Sequence, residues 1–309
     1  MIHRSKFDSI VFGGGFIGRH LIRALVRQGQ VVRVFDRNAC PQEFDGAVDW
    51  IHGDFRDWNL VARAVEGVDT VYHLISSTVP GDQHVDVADE IRDNVISTLS
   101  LLQACNSGGA KRIVFCSSAS VYGVQNVVPI SETALTNPIS VHGIHKLMVE
   151  KFLLLAEWES SIDVRIVRIS NPYGPGQNIV GRQGFVAIAI GCLISGNALI
   201  LRGGGDAVRD FIFVEDVAAA IAKAGSSNCK SGIYNIGSGQ GCSLAEVVRL
   251  IELHSGRSIN LKRLPARTVD IPVSILDTTC AYEELGFRSE VDLNDGIRKT
   301  LQYNGVQCA

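Results

Sequence analysis

The chain has 309 residues, of which 46% are hydrophobic and 20% charged, and its formal net charge is −3. This length allows a large core, in one big domain or two smaller ones. The near-neutral charge argues against a nucleic-acid or anionic-membrane partner, and the longest apolar stretch, Phe185–Ile194, is too short to span a bilayer. The eight cysteines form no Cys-x-x-Cys pair, and the N-terminus shows no leader-like apolar region. We therefore expect a cytoplasmic protein with neither a disulfide scaffold nor a metal site.

The first part of the chain contains a glycine turn between two apolar strands. A strand over Ser9–Phe12 leads into the turn Gly13–Gly18, and a helix follows over His20–Gln28. A second strand over Val31–Phe35 then ends at Asp36. This order of strand, glycine turn, helix, strand and acid predicts a dinucleotide-binding unit.

The spacing of the glycines in this turn, Gly13-x-Gly15-x-x-Gly18, has a physical reason. The chain must turn tightly, its backbone must approach a pyrophosphate, and the following helix must pack closely on the strand. Phe16 and Ile17 lie between the last two glycines, where the helix N-terminus is expected to face the phosphates.

The acid at the end of the second strand bears on which dinucleotide binds. The carboxylate of Asp36 can accept hydrogen bonds from both ribose hydroxyls and would repel a 2′-phosphate, which favours NAD over NADP. Arg33 and Arg37 lie nearby in sequence, so NADP remains open at this point.

Short apolar strands alternate with helices up to about residue 170. Repeated βα units with β-branched strands predict the α/β class, with a doubly wound parallel sheet and helices on both faces. The pattern then loosens, which predicts a smaller C-terminal domain. The further strands are predicted over residues 50–52, 69–75, 112–116 and 164–169, and the helices over residues 59–65, 91–105 and 147–158.

The stretch His142–Lys146 is the candidate centre of the chemistry. It follows Asn137-Pro138, a helix boundary, and opens an apolar helix. His142 and Lys146 are four residues apart, so both side chains lie on one helix face. Lysine can supply a positive charge while its partner takes or gives a proton. Taken alone, the pair is also compatible with an ordinary surface helix.

Several further motifs, in this order along the chain, are specific in combination. Besides the glycine turn they are Gly53–Asp57, Asp69–Leu74, Asn94-Val95, Ser117–Gly123, Ser170–Gln177, Arg209–Phe211, Val214–Asp216 and Tyr234–Gly237. With them the chain resembles the extended short-chain dehydrogenases/reductases of the nucleotide-sugar epimerase/dehydratase group. The resemblance implies a Rossmann domain that carries NAD, over residues 1–170 with a return segment at about 208–238. It also implies a nucleotide-sugar-binding α+β domain over residues 171–207 and 239–309.

The same resemblance assigns cofactor contacts beyond the glycine turn and Asp36. Asp54 and Phe55 are expected to hold the adenine, and Leu74 and Ser76 to line the cofactor channel. Asn94 is expected in the cofactor site, and Lys146 is expected to hydrogen-bond the nicotinamide ribose.

Two positions depart from the family pattern. When Gly15 and Gly18 are aligned with the family's Gly-x-x-Gly-x-x-Gly, Phe12 takes the first glycine position, unless the turn is one residue shorter. His142 stands where the family's Tyr-x-x-x-Lys motif has its tyrosine, and no tyrosine in the chain is followed by lysine four residues later.

The exchange of tyrosine for His142 changes the expected base. An imidazole, with an ordinary pKa of ~6.5, is neutral at pH 7 and can accept a proton directly. Positive neighbours would weaken it, and its ring is shorter than a phenol. We therefore expect a slow or inactive enzyme with an intact binding site. His142→Tyr should raise kcat with little change in sugar-nucleotide affinity, and Ser118→Ala should lower activity.

The residues that follow Ser118 bear on the reaction. Ser118 lies just past a strand, at the carboxyl edge where such sheets carry their chemistry, and by resemblance it hydrogen-bonds the sugar hydroxyl. Ala119 and Ser120 come next, where the family's sugar dehydratases carry an Asp-Glu pair. This form resembles the 4-epimerases.

Two arginines are candidates for the substrate diphosphate. A guanidinium fork matches phosphate oxygens, and Arg209 and Arg267 resemble the family's nucleotide-binding arginines. Asn171 is also expected to contact the substrate phosphate. The loops over residues 78–82 and 181–185 are expected to decide which sugar is accepted.

Three functions remain open. The first is a nucleotide-sugar 4-epimerase, with a UDP-sugar as substrate, and the second is a nucleotide 4-keto-sugar reductase. The third is a protein that binds NAD and a nucleotide sugar without catalysis. The helices over residues 91–105 and 147–158 carry more apolar surface than one buried stripe needs, which predicts a homodimer.

Overall fold

The computed structural model describes residues 7–77, 86–181, 183–226, 228–267 and 270–308. By contact density the chain divides into two compact units. The first comprises residues 1–121, 140–168 and 218–234, and the second residues 122–139, 169–217 and 235–309.

A seven-stranded sheet forms the first unit, in the order β10-β6-β5-β4-β1-β2-β3. The central strand β1 pairs in parallel with β2 and with β4, and the chain order reverses between β1 and β4. Such a reversal opens a crevice at the carboxyl ends of the two strands, which is where doubly wound sheets bind their ligands. The strands are β1 (Phe7–Phe12), β2 (Val32–Asp36), β3 (Asp49–His52), β4 (Val68–His73), β5 (Arg112–Ser118), β6 (Asp163–Ile169) and β10 (Gly232–Ile236).

Helices alternate with these strands, as the sequence predicts. A π-helical stretch, Ile91–Ile96, continues α3 into α4 without a break. The helices of this part are α1 (Phe16–Arg27), α2 (Trp58–Val65), α3 (Val87–Glu90), α4 (Ser97–Gly108), α5 (Val141–Glu159) and α7 (Val214–Ala224). The α/β class and the parallel sheet of the sequence analysis are therefore confirmed.

Two small sheets and a group of helices form the second unit. Strand β9 pairs in parallel with β7 and β13 and antiparallel with β11, while β8 and β12 form a separate parallel pair. The strands are β7 (Asn171–Tyr173), β8 (Leu199–Arg202), β9 (Val208–Phe213), β11 (Gly241–Ser243), β12 (Leu261–Leu264) and β13 (Val273–Ser274). The helices are α6 (Phe185–Ser195), α8 (Leu244–Ser255), α9 (Thr279–Leu285) and α10 (Leu293–Tyr303).

The boundaries of the units differ from the expected domains in several segments. Residues 122–139, 208–217 and 235–238 cluster with the second unit rather than with the Rossmann sheet, so only residues 218–234 of the expected return segment belong to the first unit. The segment 122–139 has contacts that explain its place. Tyr122 donates a hydrogen bond to Asn235 Oδ1 at 2.6 Å, and the backbone N–H of Ile130 donates to the carbonyl of Ile275 at 2.8 Å. These long-range contacts are not visible in a strand and helix pattern, which is why the sequence alone assigned the segment to the first domain.

The apolar stretch that begins at Phe185 forms α6, which is packed into the core of the second unit. Among the described residues, no helix combines the length and the apolar character that a membrane crossing requires.

Candidate active site

The glycine turn follows β1 directly. Gly13 has φ +107°, a conformation that favours glycine, and Phe12 is the buried last residue of β1, so the turn has the shorter form that starts at Gly13. A Cβ on Gly18 would lie 1.9 Å from the carbonyl oxygen of Gly13, so the close packing of helix on turn requires glycine there.

The N-terminus of α1 is open to a ligand. The helix begins at Phe16, with Ile17 next, and within the described part of the chain no side chain caps its first N–H groups. Apart from Gly15 itself, its chain neighbours and the adjoining helix backbone, no described atom lies within 4 Å of a Cβ built on Gly15. Free N–H groups at a helix start beside an uncrowded glycine suit a pyrophosphate, so the turn fits the dinucleotide that the sequence predicts.

Asp36 ends β2 beside this turn. Its Oδ2 accepts a hydrogen bond from the backbone N–H of Gly14 at 2.6 Å, and its Oδ1 accepts one from the backbone N–H of Asn38 at 2.7 Å. Arg33 extends elsewhere, because its Nε donates to Asp49 Oδ2 at 2.8 Å. Because the guanidinium of Arg33 is engaged by Asp49, Arg37 is the better placed of the two nearby arginines to meet a 2′-phosphate.

The two residues expected near the adenine have different surroundings. Asp54 is exposed and pairs with Arg56 at 2.9 Å, and hydrogen bonds from Arg56 hold the pKa of its carboxyl below the usual value. Phe55 is buried, with its ring 5.7 Å from that of Phe12 and 5.3 Å from that of His73. A contact between Phe55 and adenine would therefore come from the backbone.

The loop after β4 is fixed by Asn94 of the π-helical stretch. Asn94 Oδ1 accepts a hydrogen bond from the backbone N–H of Ser77 at 2.9 Å, and its Nδ2 donates to Ser77 Oγ at 2.9 Å. These contacts hold the loop that contains Leu74 and Ser76 at the carboxyl end of β4. The loop over residues 78–82, expected to contribute to sugar choice, lies outside the described residues, as does residue 182 of the second such loop.

Helix α5 places the candidate base and the lysine together. The Oγ of Ser140 accepts a hydrogen bond from the backbone N–H of Gly143 at 3.1 Å and so caps the helix start. His142 and Lys146 follow in the first turns and are both buried. They line a small cavity in the first unit with His73, Ile75, Ser76, Asn94, Phe115, His145 and Val149. The structure thus brings together four of the predicted site residues, Ser76, Asn94, His142 and Lys146.

Lys146 is held against β5. Its Nζ donates a hydrogen bond to the carbonyl of Cys116 at 2.7 Å and lies 4.7 Å from the centre of the Phe115 ring. Burial lowers the pKa of Lys146 to about 8, while Cys116 and Glu150 act in the opposite direction. The lysine is therefore charged at neutral pH and close to losing its charge in mild alkali.

Ser118 is the last residue of β5. Its Oγ accepts hydrogen bonds from the backbone N–H of Ser120 at 3.2 Å and from Ser120 Oγ at 3.0 Å. The described residues that line the cavity do not include Ser118. Its assignment as the serine that contacts the sugar remains a prediction.

A buried ion pair lies behind Lys146 and Ser118, and sequence reasoning missed it. Arg168 of β6 donates to both carboxylate oxygens of Glu150, at 3.1 Å from Nε and 2.7 Å from Nη2. Ser117 also donates to Glu150, so β5, α5 and β6 are joined at one carboxylate. Glu150 follows Lys146 by one helical turn, a spacing that could have pointed to it.

A second buried pair was also missed. His145 Nδ1 of α5 lies 3.7 Å from Glu90 Oε2 at the end of α3. Both side chains are almost fully buried, and His145 lines the cavity beside His142. The two residues are far apart in sequence, and no local pattern links them.

Three arginines of the second unit act on one carboxylate. Arg267 donates to Asp270 at 2.7 Å from Nη2 and 3.0 Å from Nε, and these bonds, with the positive charge of Arg202, hold the pKa of Asp270 below its usual value. Asp270 in turn acts on Arg209, whose pKa is lowered by burial. The positive charges of Arg202, Arg209 and Arg267 around this carboxylate suit a diphosphate. Arg202 ends β8 before a glycine turn, and no local sequence pattern predicts its part in this group.

Asn171 lies on β7 in the same unit. Its Nδ2 donates a hydrogen bond to the carbonyl of Asp210 at 2.9 Å, so one donor of its amide is already used. Asp210 itself accepts hydrogen bonds from Ser238, Gly239 and Leu276 and has a structural role next to Arg209.

Comparison with known proteins places this architecture in a family. The model of the NAD dependent epimerase/dehydratase family matches residues 9–237. A UDP-glucose 4-epimerase of Azospirillum brasilense is 32% identical over 94% of this chain and 90% of its own length, and a dTDP-4-dehydro-6-deoxyglucose reductase of Escherichia coli is 28% identical over 97% of each. The crystal structure of UDP-glucose 4-epimerase from Thermotoga maritima with UDP-glucose superposes with a TM-score of 0.90 at 29% identity, over 96% of this chain and 98% of that one. The chain therefore belongs to the NAD-dependent epimerase/dehydratase family.

Proposed function

We propose that the protein is an NAD-dependent 4-epimerase of a nucleotide sugar, with a UDP-sugar as its substrate. The observation that carries the proposal is the cavity in which His142 and Lys146 lie one helical turn apart, beside the loop that follows β4. The names of the relatives from Azospirillum brasilense and Thermotoga maritima support the same reaction.

The side chains of the cavity supply the proton chemistry. When bound, NAD supplies a reversible acceptor for the hydrogen of the sugar C4. His142 takes the proton of the C4 hydroxyl as general base and later returns it to the oxygen. Lys146 holds a positive charge that stabilises negative charge developing on oxygen, and Ser118 is proposed to hydrogen-bond the hydroxyl and fix its direction.

The glycine turn and Asp36 are proposed to hold the two ends of the adenosine diphosphate. The open N-terminus of α1 would take the pyrophosphate, and Asp36 would accept hydrogen bonds from the ribose hydroxyls. Asp54, Phe55 and Leu74 complete the proposed cofactor contacts.

The second unit is proposed to hold the nucleotide sugar. Its arginines would bind the diphosphate, with Arg202 added to Arg209 and Arg267, and Asn171 would contact a phosphate oxygen. A firm hold on the diphosphate allows the sugar to turn over, as an epimerase requires, because the hexose itself needs only loose contacts.

A reductase of nucleotide 4-keto-sugars is the second candidate. It is favoured by the relative from Escherichia coli, which matches 97% of this chain. Ala119 and Ser120 provide no acid after Ser118, which argues against a dehydratase in either case.

The test is incubation of the purified protein with a panel of UDP-sugars, followed by NMR detection of the 4-epimers. An epimerase purifies with NAD bound and turns over without added cofactor. A reductase would instead consume a stoichiometric amount of NAD(P)H with a 4-keto-sugar. Ser118→Ala should lower the rate of epimer formation. Binding of NAD and UDP-sugar without product on any sugar would support the non-catalytic alternative and contradict the proposal.

We also propose that the protein is a homodimer. Apolar side chains of α5, Ile144, Phe152, Leu155 and Trp158, are exposed, as is Ile96 just before α4. Pairing of these helices with their copies would cover this surface, and a two-fold contact satisfies both copies at once.

A further inference from the structure

Glu90 and His145 form a buried titratable pair beside the candidate base. His145 Nδ1 lies 3.7 Å from Glu90 Oε2, within ion-pair range and longer than a hydrogen bond. The exposed fractions are 3% for His145 and 5% for Glu90. His145 lies between His142 and Lys146 on α5, and its ring lines the same cavity as both. Burying two polar groups is costly, so their presence here calls for an explanation.

Four titratable groups among the described residues line the cavity or adjoin it on α5, and each has an assignable charge. His73 of β4 is neutral at pH 7, because burial lowers its pKa to about 3. Burial also lowers the pKa of His145, so this ring is neutral near pH 7. Lys146 carries a positive charge, and Glu150, one turn further along α5, is ion-paired with Arg168. Glu90 places its carboxyl group on the side of the cavity that carries His145.

The charge of the site explains why a histidine base needs such a carboxylate. A phenolate (−1) beside a charged lysine (+1) has a net charge of zero, which becomes +1 when the phenolate takes a proton. A neutral imidazole beside the same lysine has a net charge of +1, which becomes +2 on proton uptake, so like charge opposes that uptake. With one carboxylate (−1) added, the net charge of the imidazole site is zero before proton uptake and +1 after it. An ionised Glu90 would supply this missing charge.

We propose that the Glu90–His145 pair balances the charge of His142 and positions its ring, so that a histidine can serve as the base of this protein. The inference rests on the proposed epimerase function and deepens it. When the O–H bond of the sugar breaks and the proton moves to the imidazole, the new positive charge is offset by Glu90 through His145. Glu90 and His145 are positioning residues, since neither is placed on the reacting atoms.

The proposal reverses the sequence-based expectation for His142→Tyr. A phenolate near the Glu90 carboxylate would face like charge, so this variant should be slower than the parent, not faster. Histidine is then an adapted base in a site rebuilt around it.

The first experiment measures the protonation of His142 directly. The full chain with NAD is titrated by NMR, and the midpoint of the His142 ring is compared between the parent, Glu90→Gln and Asp89→Asn. Asp89 is a matched control, because it adjoins Glu90, faces solvent and pairs with Arg92. Loss of the Glu90 charge should lower the midpoint by about one pH unit, and the control should leave it unchanged. An unchanged midpoint in folded Glu90→Gln overturns the proposal.

The second experiment separates charge balance from a merely structural link between α3 and α5. Because the base must be neutral to act, a lower midpoint moves the acid limb of the kcat profile to lower pH. Glu90→Gln should therefore shift this limb downward and reduce kcat roughly tenfold, the scale of one unit in basicity. In the His142→Tyr background the same change should leave kcat equal or raise it. A loss of the same size in both backgrounds, with no shift of the limb, would indicate a structural role and overturn the proposal.

The two proposals fail in different ways. If no UDP-sugar is epimerised by the parent, the proposed function fails, while the NMR titration still decides whether Glu90 acts on His142. If epimerisation occurs but the His142 midpoint ignores Glu90, the function stands and the charge-balancing role fails.

Discussion

Lys146 carries the positive charge of the candidate site, and burial sets the pH at which that charge is lost. The pKa of its ammonium is lowered to about 8, so the charged form is present below this pH and disappears above it. We expect kcat/KM for the UDP-sugar to fall as the pH rises through about 8, measured by epimer formation across a pH series.

The matched variant for this pH dependence is Lys146→Arg. A guanidinium stays charged throughout the range, so the variant should lose the alkaline fall even if its rate is lower at every pH. An alkaline limb that persists unchanged in Lys146→Arg would assign the titration to another group.

Asp36 is expected to decide between NAD and NADP. Asp36→Ser should weaken NAD binding by about 1–2 kcal/mol, the scale of a lost charge-assisted hydrogen bond, and raise the relative affinity for NADP. Titration calorimetry with both cofactors measures the change. The gain for NADP should depend on Arg37 alone, because Arg33 is engaged by Asp49. Arg33→Ala in the Asp36→Ser background is the control and should leave this gain unchanged. A parent that already prefers NADP would contradict the role of Asp36.

Residues that act through local spacing were predictable, and residues that meet across the fold were not. The glycines of the turn and the pair His142 and Lys146 follow from the distance between them in sequence. Glu90 and His145 belong to different elements, so their contact exists only after α3 and α5 have packed. Arg202 was missed because nothing in its own strand indicates a nearby Asp270.

Helix boundaries were predicted less well than helix existence. The first helix begins at Phe16, four residues before the predicted start at His20. The prediction was late because Gly18 lies inside the helix and glycine is a poor helix former. The apolar run by itself marks α5 only from Leu147, whereas the boundary at Asn137-Pro138 placed His142 and Lys146 on the same helix. The helix begins at Val141, and Ser140 caps it. The spacing of apolar residues in the sequence does not indicate the π-helical stretch.

At the scale of elements, Glu150 holds three of them together. It accepts hydrogen bonds from Ser117 of β5 and Arg168 of β6 while lying on α5, and all three side chains are buried. Glu150→Gln removes the buried carboxylate charge that Arg168 pairs with, which should lower the free energy of unfolding by about 3 kcal/mol. Chemical denaturation measures this value.

The control for Glu150 is an exposed pair of the same type. Glu246 pairs with Arg249 on the surface of α8 at 2.7 Å. Glu246→Gln should cause little measurable change, since exposed pairs contribute little to stability. Equal effects of the two variants on the free energy of unfolding would show that burial of the Glu150 pair adds nothing to stability.

At the scale of the whole molecule, a substitution on the exposed apolar surface of α5 can test the proposed homodimer. Leu155→Arg places a charge in the centre of that surface and should convert a dimer to a monomer, because a charge buried without a partner is costly. Light scattering at micromolar concentration measures the mass. Leu253→Arg on α8, which is also exposed, is the matched control and should leave the mass unchanged. A monomeric parent would contradict the proposal.

The π-helical stretch Ile91–Ile96 has a consequence for the angular phase of the helix that contains it. In an α-helix each residue turns by about 100°, so residues eight apart, such as Glu90 and Thr98, point roughly 80° away from each other. A π turn contains one residue more than an α turn, so the rotation between Glu90 and Thr98 is smaller by about 100°. The two side chains then point to nearly the same side. Glu90, Asn94 and Thr98 are accordingly all buried. The direction of Glu90 toward His145 is therefore set by the number of residues in one wide turn, and a chain one residue shorter there would rotate the carboxylate out of reach.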